Sequence, residues 1–189
     1  FLKPTDRVIG VKLNGKSRAY PIKILDFHEI VNDDFNGVSL TITWCPLCGS
    51  GIVFSNGRTS RSFGVSGLLY NSDVLLYDRA TESLWSQILG KSVAGKLSGA
   101  QLTIYPSLMT TWEQWQKLEP FSEVLSTQTG FSRDYEKGAY SQYLNSEKLM
   151  FPVANTSDRF SNKERILGVQ VGEKFKAYPF AVLKKKALP

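Results

Sequence analysis

Asp6-Arg-Val-Ile-Gly-Val-Lys-Leu-Asn-Gly-Lys-Ser-Arg-Ala-Tyr-Pro-Ile-Lys-Ile-Leu25 returns without a gap near the other end of the chain. There it reads Glu164-Arg-Ile-Leu-Gly-Val-Gln-Val-Gly-Glu-Lys-Phe-Lys-Ala-Tyr-Pro-Phe-Ala-Val-Leu183. Arg7, Gly10, Val11, Lys16, Ala19, Tyr20, Pro21 and Leu25 recur as Arg165, Gly168, Val169, Lys174, Ala177, Tyr178, Pro179 and Leu183. Each copy reads as a hairpin, with an apolar strand, a polar turn at Asn14-Gly15 or Gly172-Glu173, and a second strand ending in Ala-Tyr-Pro. The proline suits the first turn of a short helix whose Ile22 and Leu25, or Phe180 and Leu183, face a core. Matching hairpins at both ends predict a chain that closes on itself, one domain over residues 1–189 with its repeat at 6–25 and 164–183. Beyond the helix the copies part: the first runs into Asp26-Phe-His-Glu-Ile30, while the second places Lys186 opposite His28 in a lysine run. The second hairpin therefore reads as structural and the first as structural and functional.

Between the copies, Val38 to Trp44 alternates apolar and polar residues with β-branching, a strand pattern. Ile52 to Phe54 reads as its return strand. Ser62 to Val65, Leu68 to Tyr77 and Gln101 to Tyr105 read as further strands. Thr110 to Leu118 is the best helix, with Trp112, Trp115 and Leu118 on one face and Pro120 closing it. Ala139 to Leu144 reads as a second short helix. The fold class is α+β, a β-rich domain with hairpin repeats at both termini and a few short helices. Trp85, Trp112 and Trp115 read as core.

The chain has two cysteines and one histidine. The cysteines share one loop, Trp44-Cys-Pro-Leu-Cys-Gly49, seventeen residues downstream of His28. Pro46 presets the turn and Gly49 can take the left-handed conformation. Backbone amides can then turn toward the sulfurs and favour thiolate, the form that binds metal or attacks. Two-residue spacing lets both sulfurs reach one ion at about 2.3 Å. The first reading is a metal site of Cys45, Cys48 and His28, three ligands that leave an open position, for zinc or for copper as Cu(I). Glu29, Asp26 or Asp78 then serves as a fourth ligand, a supporting partner or a general base.

A second reading is a thiol–disulfide redox pair with Cys45 as the more exposed thiol. Gly49-Ser-Gly-Ile-Val-Phe54 turns into a strand, however, and not into the helix that such motifs use. The zinc deaminases also combine His with Cys-x-x-Cys. Their His-x-Glu and their proline before the first cysteine are lacking, since His28 and Glu29 are adjacent and Trp44 precedes Cys45. The remaining reading is a non-catalytic binding or structural domain in which the cysteines pack as small hydrophobes.

A second polar constellation runs from Tyr77 through Asp78 and Arg79 to Gln87, and a third from Thr129 through Arg133 and Asp134 to Tyr143. Asp-Arg pairs after strands commonly cap their own turns. The functional alternative is a cleft where Arg79 and Arg133 bind an anionic small molecule. Glu29, Asp78, Arg79, Arg133 and Asp134 are thus the catalytic candidates.

The net charge of +6 and pI near 9.3 raise nucleic acid as a partner. The basic residues are spread thinly apart from Lys184-Lys185-Lys186, and no basic stripe with interleaved aromatics occurs, so a metal ion or small molecule is the expected partner. No apolar run reaches the length of a membrane-spanning helix. The chain opens on Phe1 and not Met, compatible with an upstream signal or membrane anchor.

His28-Glu-Ile-Val-Asn-Asp33, Cys45-Pro-Leu-Cys-Gly49, Phe63-Gly-Val-Ser-Gly-Leu-Leu-Tyr-Asn-Ser72, Tyr77-Asp-Arg79, Ser83-Leu-Trp-Ser-Gln87, Arg133-Asp-Tyr135 and the two Ala-Tyr-Pro repeats resemble the prokaryotic domain-of-unknown-function 3179 family. The resemblance spans nearly the whole chain. It implies no substrate or mechanism, because the family carries no assigned activity. It does imply an extracytoplasmic setting, periplasmic or at the cell surface.

Overall fold

The structure, a computed structural model, describes residues 1–59 and 61–185. Lys186, aligned above with His28, lies outside the described residues. The chain forms two compact units, Phe1–Ser141 and Gln142–Pro189. Strands dominate and helices are short, the β-rich α+β class read from the sequence.

The first unit opens with the hairpin of β1 (Arg7–Leu13) and β2 (Lys16–Pro21), followed by α1 (Ile22–His28). Its turn, Asn14-Gly15, has φ of 52° and 77°, matching the twist that tight hairpins need. Next come β3 (Ile30–Asp34), β4 (Ser39–Cys45), β5 (Ser50–Gly57), β6 (Phe63–Tyr70), β7 (Asp73–Asp78), β8 (Leu84–Ser86) and β9 (Lys91–Ala94). After them follow β10 (Thr103–Tyr105), β11 (Leu108–Thr111), α2 (Trp112–Leu118) and β12 (Glu123–Val124). Three four-stranded sheets result, ordered β11-β1-β2-β12, β10-β5-β4-β3 and β6-β7-β8-β9.

Alternation along the strands dictates how these sheets stack. In β1, Ile9 and Val11 join Tyr20, Ile22 and Leu25 against Leu40, Ile42, Trp44 and Val53, which makes the core between the first two sheets. The other face of β1, with Val8, lies under Trp115 of α2. Gly10 permits that contact, since a Cβ there would stand 2.3 Å from the Trp115 ring. A third apolar cluster, with Cys45, Phe54, Phe63, Val74, Leu76 and Trp85, joins the second and third sheets. Asn32 links the same two sheets by taking the place of a backbone unit: its amide donates to the Phe63 carbonyl and accepts from the Phe63 N–H, both at 2.8 Å. Arg18 ties β2 to β3 through Asp33 at 2.8 Å and to β12 through Glu123 at 2.7 Å.

Two local expectations change. Leu68 to Tyr77, read as one strand, is broken by a two-residue turn at Asn71-Ser72, with φ of 55° and 65°. A β6–β7 hairpin replaces it, and Asp73 moves from a strand interior to a strand start. The helix read from Thr110 begins at Trp112, because Thr111 caps it by accepting from the Gln114 N–H at 3.3 Å. Leu108–Thr111 pairs with β1 instead.

The helix read over Ala139 to Leu144 is confined to α3 (Ser141–Leu144), where the chain passes between the units. The second unit is built on the second copy of the repeat: β13 (Ile166–Val171), β14 (Lys174–Pro179) and α4 (Phe180–Lys185).

Candidate metal centre

Cys45 ends β4 and Ser50, its partner in the ladder, begins β5, so residues 46–49 form the knuckle at the tip of this hairpin. Gly49 has φ of 62°, the left-handed conformation that closes the turn. The Cys48 N–H donates to Cys45 Sγ at 3.3 Å, and the two sulfurs stand 2.9 Å apart. Gln87 staples the knuckle in place. Its Nε2 donates to Thr43 Oγ1 and to the Ser50 carbonyl, each at 3.1 Å, while Ser50 Oγ donates back to its Oε1.

The turn of the β6–β7 hairpin faces the sulfurs. The Ser72 carbonyl lies 3.4 Å from Cys48 Sγ and 3.9 Å from Cys45 Sγ. Asp73 is 3% exposed. Its Oδ2 accepts from Ser86 Oγ at 2.6 Å and from the Ile88 N–H at 3.1 Å. Its Oδ1 meets Cys48 Sγ at 3.9 Å. Cys45, Cys48 and Asp73 thus place one ligand atom each within 4.8 Å of one another, close enough to hold one metal ion.

The two thiols differ in character. Cys45 is buried and Cys48 exposed, the reverse of the exposure expected for a redox pair led by Cys45. The hydrogen bond between the two thiols holds Cys45 below its ordinary pKa, aided by the N–H groups of Cys48 and Val74 and opposed by burial. The Cys48 thiol is pushed up, first by that same bond and then by burial. Burial also raises the Asp73 carboxyl, outweighing its hydrogen bonds from Ser86, Ile88 and Gln87.

His28 is not in this group. Its Nε2 bonds the Tyr135 hydroxyl at 2.7 Å, and Thr129 Oγ1 bonds the same hydroxyl at 2.7 Å. The reason lies in the backbone. Ile30 pairs with Thr43 and the Trp44 N–H reaches the Glu29 carbonyl, a register that, continued, would set His28 opposite Cys45. The chain is helical through His28, however, and Glu29 turns it with φ of 57°. The imidazole follows α1 to Phe131 and Tyr135. Burial and the Arg133 charge lower its pKa.

The remaining candidates scatter. Glu29 is half-buried, and burial raises its pKa against a hydrogen bond from Tyr140. Asp26 is raised by burial against its bond from Trp44 Nε1, 2.8 Å long. Tyr140 is raised by burial and by the charges of Glu29, Asp26 and Cys45, so this acidic corner borders the knuckle. Asp78 is buried and caps its own turn, accepting from the Ala80 and Thr81 N–H groups and the Thr81 hydroxyl at 2.7–3.0 Å. Arg79 bonds the Tyr77 hydroxyl at 2.9 Å and is exposed. Arg133 and Asp134 are exposed too, with Asp134 3.7 Å from Lys137.

The family profile described as "Protein of unknown function (DUF3179)" matches residues 1–188. The chain belongs to this family. No curated protein and no solved structure matches it. In this DUF3179 chain Asp73 does not stand out in the sequence, because the apolar run around it masks the β6–β7 hairpin. Asn71-Ser72, two polar residues inside alternating hydrophobics, was the available signal. Ser86 and Gln87, read as part of a separate polar constellation, serve the Asp73 carboxylate and the knuckle.

Proposed function

We propose that this chain is a metal-binding protein whose ion is held by Cys45, Cys48 and Asp73. The observation that carries the reading is the posture of Asp73. One carboxylate oxygen is anchored by Ser86 and Ile88, and the other is turned toward the sulfur pair. Anchoring a ligand through its far atom is how protein sites orient metal ligands. Around a tetrahedral ion at about 2.3 Å, two sulfurs spread to roughly 3.8 Å, so the pair opens by somewhat under about 1 Å on loading. Gly49 and the exposure of Cys48 allow that movement.

A mixed sulfur and carboxylate donor set supports zinc over copper as the ion. Cu(I) is satisfied by thiolates alone, whereas a carboxylate beside two thiolates suits the borderline zinc ion. Three protein ligands leave the fourth position to water or a small ligand, with the Ser72 carbonyl and the Tyr140–Glu29 pair nearby. Titration of the reduced protein with Co(II) tests this. Sulfur-to-cobalt charge-transfer absorption should appear at one equivalent and vanish on adding Zn(II); an absorption-silent titration removes the proposal.

The second reading is a dithiol that closes to a disulfide, favoured by the 2.9 Å separation of the sulfurs. Against it, the thiol with the lowered pKa is the buried Cys45, and the pKa of the exposed Cys48 is raised. That is a poor arrangement for attack on a partner's disulfide.

A further inference from the structure

The two copies of the repeat fold alike and are covered differently. Val8↔Pro21, Ile9↔Tyr20, Gly10↔Ala19 and Val11↔Arg18 in the first hairpin recur as Ile166↔Pro179, Leu167↔Tyr178, Gly168↔Ala177 and Val169↔Lys176 in the second. Yet Val8, Ile9 and Val11 are fully buried, while Ile166, Leu167 and Val169 are all exposed. The strand β13 pairs with β14 alone among the described residues, whereas β1 also pairs with β11 along its outer edge.

Gly10 and Gly168 sharpen the contrast. A Cβ on Gly10 would collide with the Trp115 indole, so the first hairpin needs glycine for that ring to seat. A Cβ on Gly168 would meet nothing within 4 Å, and the residue lies in a strand and outside the left-handed region. Glycine inside a strand weakens it unless something approaches closely. Gly168 leaves on the second copy the same room that Trp115 fills over Gly10 on the first. The first hairpin shows what such a cover is made of. Leu108–Thr111 pairs antiparallel with Arg7–Gly10, Thr111 caps the turn into α2, and the fourth residue of that helix is Trp115.

We propose that the outer edge of β13 and the face around Gly168 form a docking surface for a partner polypeptide that presents a short strand running into a capped helix with a tryptophan on its first turn. Strand addition supplies main-chain hydrogen bonds, and the indole on Gly168 supplies the buried aromatic anchor. Ile166, beside it on the same face as Val8 on the first, packs against the helix.

A labelled peptide of residues 107–119 is the probe, titrated by fluorescence anisotropy into the intact chain. Saturable binding is expected. It should weaken at least tenfold with Gly168→Val in the protein and, separately, with Trp115→Ala in the peptide. Gly168→Val should leave the Tm unchanged, because no atom stands in the way of its side chain, while Gly10→Val lowers it. No saturable binding at millimolar peptide, or binding that survives both changes, overturns the proposal. So does concentration-dependent self-association, or binding to phosphatidylserine vesicles, that Gly168→Val abolishes; these would assign the face to a second copy or to a membrane.

Discussion

Two polar groups flank the end of β4, and they are built on opposite plans. On one side Cys45, Cys48 and Asp73 converge, with backbone amides on one sulfur and a carboxylate braced from behind. On the other, His28 Nε2, the Tyr135 hydroxyl and Thr129 Oγ1 are joined in a chain of hydrogen bonds. The first group gathers donors around a shared point, while the second spends its donors on itself. Nearness in sequence put His28 with the cysteines. Nearness in space put Asp73 there, twenty-five residues beyond Cys48, because a hairpin turn and not a helix end faces the knuckle.

The largest effects are expected at the sulfurs. Cys45→Ser or Cys48→Ser should abolish Co(II) charge-transfer absorption and zinc retention through gel filtration. Full retention in either variant would mean that the knuckle is not the site. Asp73→Ala should weaken zinc affinity by about a hundredfold and Ser86→Ala, which only loosens the carboxylate, by about tenfold, measured by competition with a chromophoric chelator. Equal effects would place Asp73 outside the ligand set. His28→Gln should leave zinc affinity unchanged and appear only in stability.

That last effect has a sign. Burial and Arg133 hold the folded-state pKa of His28 below its ordinary value of 6.5, so the unfolded chain takes up the proton more readily. Stability from the neutral imidazole is present above that ordinary value and is lost as pH falls from there through the folded-state pKa. The melting-temperature advantage of wild type over His28→Gln should therefore shrink between about pH 7.5 and about pH 5.5. An advantage that grows on acidification would show an imidazolium stabilised by the fold.

Much of the architecture was legible because strand pairing is a local matter. The repeat predicted two hairpins ending in short helices, and both form with the same register. Alternation from Val38 to Trp44 predicted β4, and Trp85 and Trp115 are core, as read. What escaped depended on partners distant in sequence. The strand Ile30–Asp34 carries three polar residues, and it is held by Arg18 on β2 and by Asn32 reaching Phe63. Of the Cys45, Cys48 and Asp73 cluster, the thiols were legible through their spacing and the carboxylate not at all. Asp78 caps its own turn, the common role of an Asp-Arg pair after a strand, with its oxygens serving residues 78–81.

The most direct test is the zinc content and free-thiol count of the chain purified without chelator, alongside Asp73→Ala and His28→Ala. A Cys45, Cys48 and Asp73 site should give about one zinc per chain in wild type and in His28→Ala, and a substoichiometric amount in Asp73→Ala. Zinc kept in Asp73→Ala and lost in His28→Ala would contradict it, as would a metal-free wild type with no titratable thiol.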